Sequence, residues 1–494
     1  MRITLGKDYF EARSGRSQPI VMDTQRLING HVIILGGSGV GKSWTIRKMI
    51  QEGAANAKKV RFHVFDVHGD LELPGASVVQ FSETAPYGLN PLKVNPDPAF
   101  GGVRKAVQAF IRTVNQASVT QLGVKQESVL RSLMLDVYRE FGFDDKDPGT
   151  WAINEYDSRP LSSGADNRLY LEVPIAEKDV AKALGARWDP HKRHWWIHSE
   201  KYRGDITKFP LAFKERTYPT VDDLVAYARR LHEERFLGSD QNALRALHEL
   251  NRAARILQKR LLEKAKLQNR EVHDKEAEEA LEQARVAAIE AYESYVGSVR
   301  SGLELESLIK YDSPEVLKSV ADRMVNVSAT GVFKGTPPPF DPANPVWRYK
   351  LNPLLQEEKK MLVLFLLQDL FNQAVQRGEQ SDVVDVAVLD ELGVYVSDQD
   401  EKGDGIIGVI AREARKFGLA LWAANQSPTN VPDSLISNVG TKIILGIDEM
   451  HWDSAVRKFR IEAKQLAWIQ PKSTFAVQLK ESGTTRTRWH WASL

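Results

Sequence analysis

Apolar residues recur with two different periods along the chain, and the change of period marks the elements. The run HVIIL from His31 to Leu35 meets the glycine-rich GGSGVGKS at 36–43, and WTIRKMIQEGA follows with helical spacing. That pattern predicts a strand, a turn and a helix in direct succession. A second run, VRFHVFDVHGD from Val60 to Asp70, reads as a buried strand ending in polar residues, as parallel strands covered on both faces do. Much later, after SATGVFKGTPPPF, the segment KKMLVLFLLQDLFNQAVQ at 359–376 has a helical pattern, and VVDVAVLDE, ending at Glu391, has a strand pattern. LALWAAN at 419–425, TKIILGI at 441–447 and STFAVQL at 473–479 supply further strands. The prediction is an α/β chain whose core is split in sequence.

What lies between the halves is different in kind. FDDKDPGTWAINEYDSRPLSSGADN is rich in turn formers and the segment after it is dense in Trp and Arg, which puts a boundary near residue 150. From Ser239 to Tyr295 there is neither Gly nor Pro, so this stretch reads as one long helix or a hairpin of two. Within it, residues 245–270 carry eight Lys or Arg against two acids and residues 271–293 reverse the ratio, so antiparallel halves would neutralise each other. The expected organisation is a first half of the core at 1–150, a small Trp/Arg-rich module at 165–200, a helical insertion at 201–320 and a second half of the core at 321–494.

With 494 residues, 42% of them hydrophobic, there is apolar material for more than one compact unit. The 67 Lys plus Arg nearly balance 65 Asp plus Glu, so nucleic-acid affinity has to come from local patches. The absence of cysteine excludes a disulfide framework, a thiolate nucleophile and thiolate metal ligands, and fits a reducing compartment. No stretch reaches the roughly 18 consecutive apolar residues of a membrane span, and MRITLGKDYFEARSGR has no apolar secretory core. The expectation is a soluble cytoplasmic protein.

The chemistry begins at the glycine loop. Gly36, Gly41, Lys42 and Ser43 satisfy G-x-x-x-x-G-K-(S/T), a loop whose backbone N–H groups wrap phosphates. The segment Gly36, Gly37, Ser38, Gly39, Val40, Gly41, Lys42, Ser43 and Trp44 is the candidate ATP site, with Lys42 reaching the terminal phosphates and Ser43 holding Mg2+. In VAVLDE, Asp390 and Glu391 end an apolar strand that tolerates charge only at its carboxyl end. Asp390 would position the magnesium water shell and Glu391 would orient and polarise the attacking water. Asp66, His68 and Asp70 lie within five residues and read as support behind the groups that touch the nucleotide, in preference to a transition-metal site.

Together with the glycine loop, DVHGD at 66–70 and the Asp-Glu strand, the run from Ala411 to Leu445 resembles the HerA and FtsK group of ring ATPases, most closely HerA. The resemblance covers roughly residues 25–115 and 325–480. It implies a RecA-like P-loop core, a mainly parallel sheet flanked by helices, with the small Trp-rich α+β insertion and the long helical insertion outside it. It also implies that Gln426 senses the terminal phosphate and that Arg412 or Arg415 is an arginine finger reaching a neighbouring subunit. The implied assembly is a hexamer that moves double-stranded DNA, working with a nuclease or other effector. Conjugative or type IV secretion ATPases belong to the same superfamily, and a nucleotide-gated scaffold is the reading from a different class. The settings in which such a protein would act are repair, conjugation or defence against invading DNA.

Two departures from the usual HerA pattern stand out. Only about 30 residues precede the glycine loop, room for a strand or two where a small β-barrel is usual. The segment 168–198 resembles a small module of conjugation-associated and primase proteins and is expected to be ββα-like. Its Arg187, Trp188, Lys192, Arg193, Trp195 and Trp196 mix cations with aromatics, as surfaces that stack bases do, although tryptophans in so small a module serve equally as its core.

Overall fold

The apolar runs become the middle of one large sheet. In the computed structural model, which describes residues 1–493 except 58, 154–157, 161, 164–167, 191, 238–240, 268–272, 299–309, 312, 398–399, 401–404 and 485–486, seventeen strands appear. The first five are β1 (Arg2–Asp8), β2 (Pro19–Asp23), β3 (Val32–Leu35), β4 (Arg61–Asp66) and β5 (Ser77–Gln80). The module contributes β6 (Ser158–Pro160), β7 (Ser162–Ser163), β8 (Arg168–Leu171), β9 (Arg187–Asp189), β10 (His194–His198) and β11 (Phe213–Glu215). The last six are β12 (Val346–Lys350), β13 (Asp385–Leu389), β14 (Leu419–Asn425), β15 (Thr441–Ile444), β16 (Thr474–Leu479) and β17 (Trp489–Ser493).

The eleven-stranded sheet runs β2-β1-β17-β16-β15-β3-β14-β13-β4-β12-β5. From β15 to β5 every pairing is parallel, and from β15 to β2 every pairing is antiparallel. The α/β core therefore has a parallel half, covered on both faces, and an antiparallel flank to which the residues before the glycine loop contribute β1 and β2. In the parallel half, alternate side chains go to opposite faces. Val32, Ile34, Phe62, Val64, Val386 and Val388 pack with Ile46, Met49 and Ile50 of the helix Lys42–Asn56. That helix approaches closely: a methyl group at Gly53 would stand 2.7 Å from the Phe62 ring, so glycine is required there despite its helix cost. On the opposite face lie the helices Val103–Ala117 and Gln356–Arg377, joined through the rings of Phe110 and Phe365, 5.4 Å apart.

The chain divides into two compact units. One comprises Met1–Gln121, Tyr138–Val221 and Ser328–Leu494; the other comprises Leu122–Val137 and Asp222–Val327. The second unit is helical. Its helices Gln241–Leu267 and Lys275–Ser298 pack along one another, and Arg260 pairs with Asp274 at 3.7 Å and Glu276 at 3.3 Å, so the opposite charges read from the sequence do meet.

The module belongs to the first unit, with strand order β7-β8-β10-β9. Its short helix, Lys178–Ala183, falls between β8 and the β9–β10 hairpin, so the order is strand, helix, hairpin where hairpin then helix was expected. The helix stops at Gly185, whose φ of 94 only glycine adopts freely, and the chain turns into the hairpin. Ile206 and Phe209 complete the module's apolar core with Leu171, Ala181, Ala186 and Ile197.

Candidate active site

Parallel strands deliver their polar ends to one edge, and that edge collects the chemistry. β3, buried throughout, runs straight into the glycine loop. The Gly36 N–H donates to the Asn425 carbonyl at the end of β14 (3.1 Å), and the Gly37 N–H donates to the Gly446 carbonyl beyond β15 (2.8 Å). The loop is thus pinned to the strands on both sides of β3. Gly41, at φ 106, turns the backbone into the helix beginning at Lys42, a conformation closed to residues with a Cβ, and the space beside it is open. The Thr45 hydroxyl donates to the Gly41 carbonyl at 3.0 Å and closes the first turn. This is a cradle of N–H groups at the positive end of a fifteen-residue helix, which suits polyphosphate.

Lys42 sits in that cradle, its ammonium donating to the carbonyls of Gly36 (2.8 Å) and Gly37 (2.9 Å). Burial lowers its pKa, while the nearby carboxylates of Glu391 and Asp390 act in the opposite sense. Ser43 is half-buried on the same turn. Trp44 is exposed, with the Lys48 ammonium 5.4 Å from its ring.

Asp390 and Glu391 follow β13, whose five residues are all buried. Asp390 is itself buried. Burial first, then Asp66 and Asp70, pushes its carboxyl up from 3.8 to about 6; His68 opposes the shift and Glu391 adds to it. Carboxylate oxygens of Asp66, Asp70 and Asp390 lie within 4.8 Å of one another, a hard-oxygen set of the kind magnesium takes. Glu391 accepts from the Gln426 amide at 3.1 Å, and Gln426 directly follows β14. The sheet therefore brings Lys42, Asp390, Glu391 and Gln426 to one edge.

The two candidate arginines are elsewhere. Arg412 lies in the last turn of the helix Ile406–Glu413, and Arg415 lies on the turn Ala414–Phe417 that leads into β14 from its amino end. The Gln380 N–H donates to the Lys416 carbonyl at 2.8 Å, which fixes this turn beside the chain approaching β13. Seven-residue β14 spans roughly 23 Å, so Arg415 is separated from its own glycine loop by the length of a strand. Both arginines are exposed.

Two features of the site were not read from the sequence. Arg348, on β12, forms a two-nitrogen pair with Asp66 at 2.8 and 2.6 Å, and Asp66 also accepts from the N–H groups of Gly69 (2.7 Å) and Leu71 (3.3 Å). Asp66 is thus the organiser of the DVHGD turn, while exposed Asp70 is the member of that turn that joins Asp390. Tyr395, five residues beyond Asp390, is fully buried near Asp390, Asp66 and Glu391, and its hydroxyl has no hydrogen-bond partner among the described residues. The alternation VWRYK hides β12, and Arg348 meets Asp66 from 282 positions away, a pairing no local pattern signals.

Residues 6–147 match the family model for the helicase HerA central domain, and residues 168–210 match a domain of unknown function, DUF5710. The chain is 38% identical over 64 residues to the DNA double-strand break repair helicase HerA of Pyrococcus furiosus, which is 13% of this chain and 11% of that protein. Over 30 residues it is 60% identical to the DNA primase TraC of Escherichia coli, 6% of this chain and 3% of that one. Each match thus spans far less than two thirds of the curated relative. VirB4 of Thermoanaerobacter pseudethanolicus superposes with a TM-score of 0.55 at 15% identity, over 100% of this chain and 96% of that chain, and so shares its fold. The glycine loop thus lies in a segment that matches the HerA central domain, and the acid-tipped strand beside it completes a fold shared with VirB4.

Proposed function

We propose that the chain hydrolyses ATP with Mg2+ at a site completed by a second copy, and that a hexameric ring of such copies translocates double-stranded DNA in the cytoplasm, beside a nuclease or other effector. The observation that carries this reading is the division of the sheet: Lys42, Asp390, Glu391 and Gln426 on one edge, exposed Arg412 and Arg415 toward the other. An arginine a strand's length from its own glycine loop serves phosphate chemistry by reaching a neighbour's.

In this reading the loop from Gly36 to Trp44 wraps the phosphates and Lys42 contacts the terminal ones. Ser43 and Asp390 would hold magnesium, with Asp66 and Asp70 bordering the cation; when bound it offsets the charge of the phosphates. Glu391, held by Gln426, orients the attacking water and accepts its proton. A neighbour's Arg412 or Arg415 stabilises the charge that develops on the transferred phosphoryl group. DNA is gripped by its phosphates without base readout, consistent with a chain of formal charge only +2 acting through local patches.

Similarity in short stretches to a DNA repair helicase and a DNA primase supports DNA as the object moved. The same site geometry serves a conjugative or type IV secretion ATPase equally, and a nucleotide-gated scaffold as well. Phosphate release measured with and without duplex DNA separates them. A motor is stimulated by DNA and loses both hydrolysis and DNA movement in Lys42→Ala and Glu391→Gln. A rate indifferent to DNA but raised by a co-purifying protein supports the secretion or scaffold reading instead.

A further inference from the structure

The alternation of β9 and β10 sorts the tryptophan module into two faces. Arg187 and Trp196 are cross-strand partners on one face, where Trp196 is buried beneath Arg168 (4.0 Å from the ring centroid) and Arg187 (5.7 Å). Trp196 and Arg168 are buried there with Tyr170, while Arg187 stays exposed. Trp188 and Trp195 are partners on the other face, 5.7 Å apart and edge to face, and Trp188 is 45% exposed.

Beside that pair opens a cleft of about 650 Å³, the size of a small-ligand site. Trp188 and Trp195 supply aromatic surface above the buried Phe209 ring, Arg193 and Lys208 supply cations, and Glu172 and Glu177 supply carboxylates. Lys208 is held in place by Glu177 at 2.7 Å and over the Phe209 ring at 4.7 Å. Glu172 is fixed through its N–H, which donates to the Pro210 carbonyl at 2.9 Å. Arg193 occupies the left-handed region at φ 54, where glycine or asparagine is usual, and has no ion-pair partner among the described residues.

We propose that this cleft binds an unpaired base of single-stranded nucleic acid. The base stacks on Trp188, its hydrogen-bonding edge faces Glu172, and the flanking phosphates meet Arg193 and Lys208. Each part of the wall favours that occupant. An indole face accepts any base by stacking. The bases of a duplex keep their faces covered by neighbours, so a face-binding cleft selects unpaired strands. An acidic peptide could meet the cations but has no flat face to stack on Trp188, which a base has. The site goes beyond the motor reading, because it needs neither ATP nor a subunit interface.

The test uses the full chain without nucleotide, in both unchanged and Lys42→Ala protein, so that failure of the motor leaves it intact. An oligothymidylate carrying bromodeoxyuridine is photocrosslinked and the adduct mapped, and its affinity is measured by anisotropy. The expected adduct lies at Trp188 or Trp195. Trp188→Ala weakens binding about tenfold. Arg193→Gly weakens it severalfold while leaving the melting temperature equal or higher, because glycine suits the left-handed backbone. An adduct mapping elsewhere, unchanged affinity in Trp188→Ala, or equal protection of Trp188 by blunt duplex or by a polyglutamate peptide overturns the proposal.

Discussion

At the carboxyl edge of the parallel sheet the polar side chains answer one another within the chain: Gln426 holds Glu391, Arg348 holds Asp66, and Lys42 lies in the field of Asp390 and Glu391. Toward the amino edge the pattern splits. His63 contacts the Tyr349 hydroxyl at 3.0 Å and Asp385 at 3.2 Å, and Asp385 is paired with Arg377, so this buried group is closed and satisfied. Arg412 and Arg415, only a strand's lead-in away, face solvent. Paired charges inside a fold need no second molecule. Exposed arginines next to a satisfied network, on a sheet whose other edge concentrates acids and a phosphate loop, fit the composite site proposed above.

The largest expected effect breaks that division directly. Of Arg412→Ala and Arg415→Ala, the one that removes the finger lowers kcat about a thousandfold or more, with the melting temperature unchanged because the side chain is exposed. Equal, small losses in both would leave the arginines as a solvated helix face. Next comes the interior of the carboxyl edge. Arg348→Met leaves buried Asp66 without its cation and costs about 3 kcal/mol in denaturant unfolding. A cost near zero would mean that the Gly69 and Leu71 N–H groups alone satisfy Asp66.

Asp390 sharpens the comparison through pH. Its folded carboxyl is raised from 3.8 to about 6, so the unfolded chain releases its proton first and stability falls as pH rises from about 4 to about 6. Asp390→Asn is therefore more stable than the parent above pH 6, by roughly 2 to 3 kcal/mol, and no more stable near pH 4. Melts in chelator at both pH values check this; a parent that is the more stable above pH 6 contradicts it. Protonation of Asp390 competes with magnesium, so the magnesium concentration needed for half-maximal hydrolysis rises as pH drops through about 6. The smallest effect is that of Gln426→Ala, which frees Glu391 and lowers kcat roughly tenfold.

Much of the parallel half was legible because strands buried on both faces read as continuous apolar runs. LALWAAN coincides with β14, and VAVL with the body of β13. Asp390, Glu391 and Gln426 could be placed because they close such runs, and Lys42 because its glycine loop follows one; the register of parallel strands then carries all of them to one edge. β12 and β5 escaped notice: VWRYK and SVVQ mix polar and apolar residues, as strands near an uncovered edge do. Missing β12 meant missing Arg348, and with it the reason Asp66 organises a turn. In the module, composition named the tryptophans but not their faces. The cross-strand pairing sets Trp188 with Trp195 on one face and Trp196 with Arg187 on the other, and of the three tryptophans Trp188 is the exposed one.

The central claim is that one chain supplies the phosphate loop and another the arginine. Lys42→Ala protein and an Arg412→Ala/Arg415→Ala double variant are each expected to be inactive. Mixed over a range of ratios in the presence of ATP and magnesium, they should regain part of the phosphate release, because some interfaces then join an intact loop to an intact arginine. Activity that stays at the level of the separate variants at every ratio would contradict the shared site.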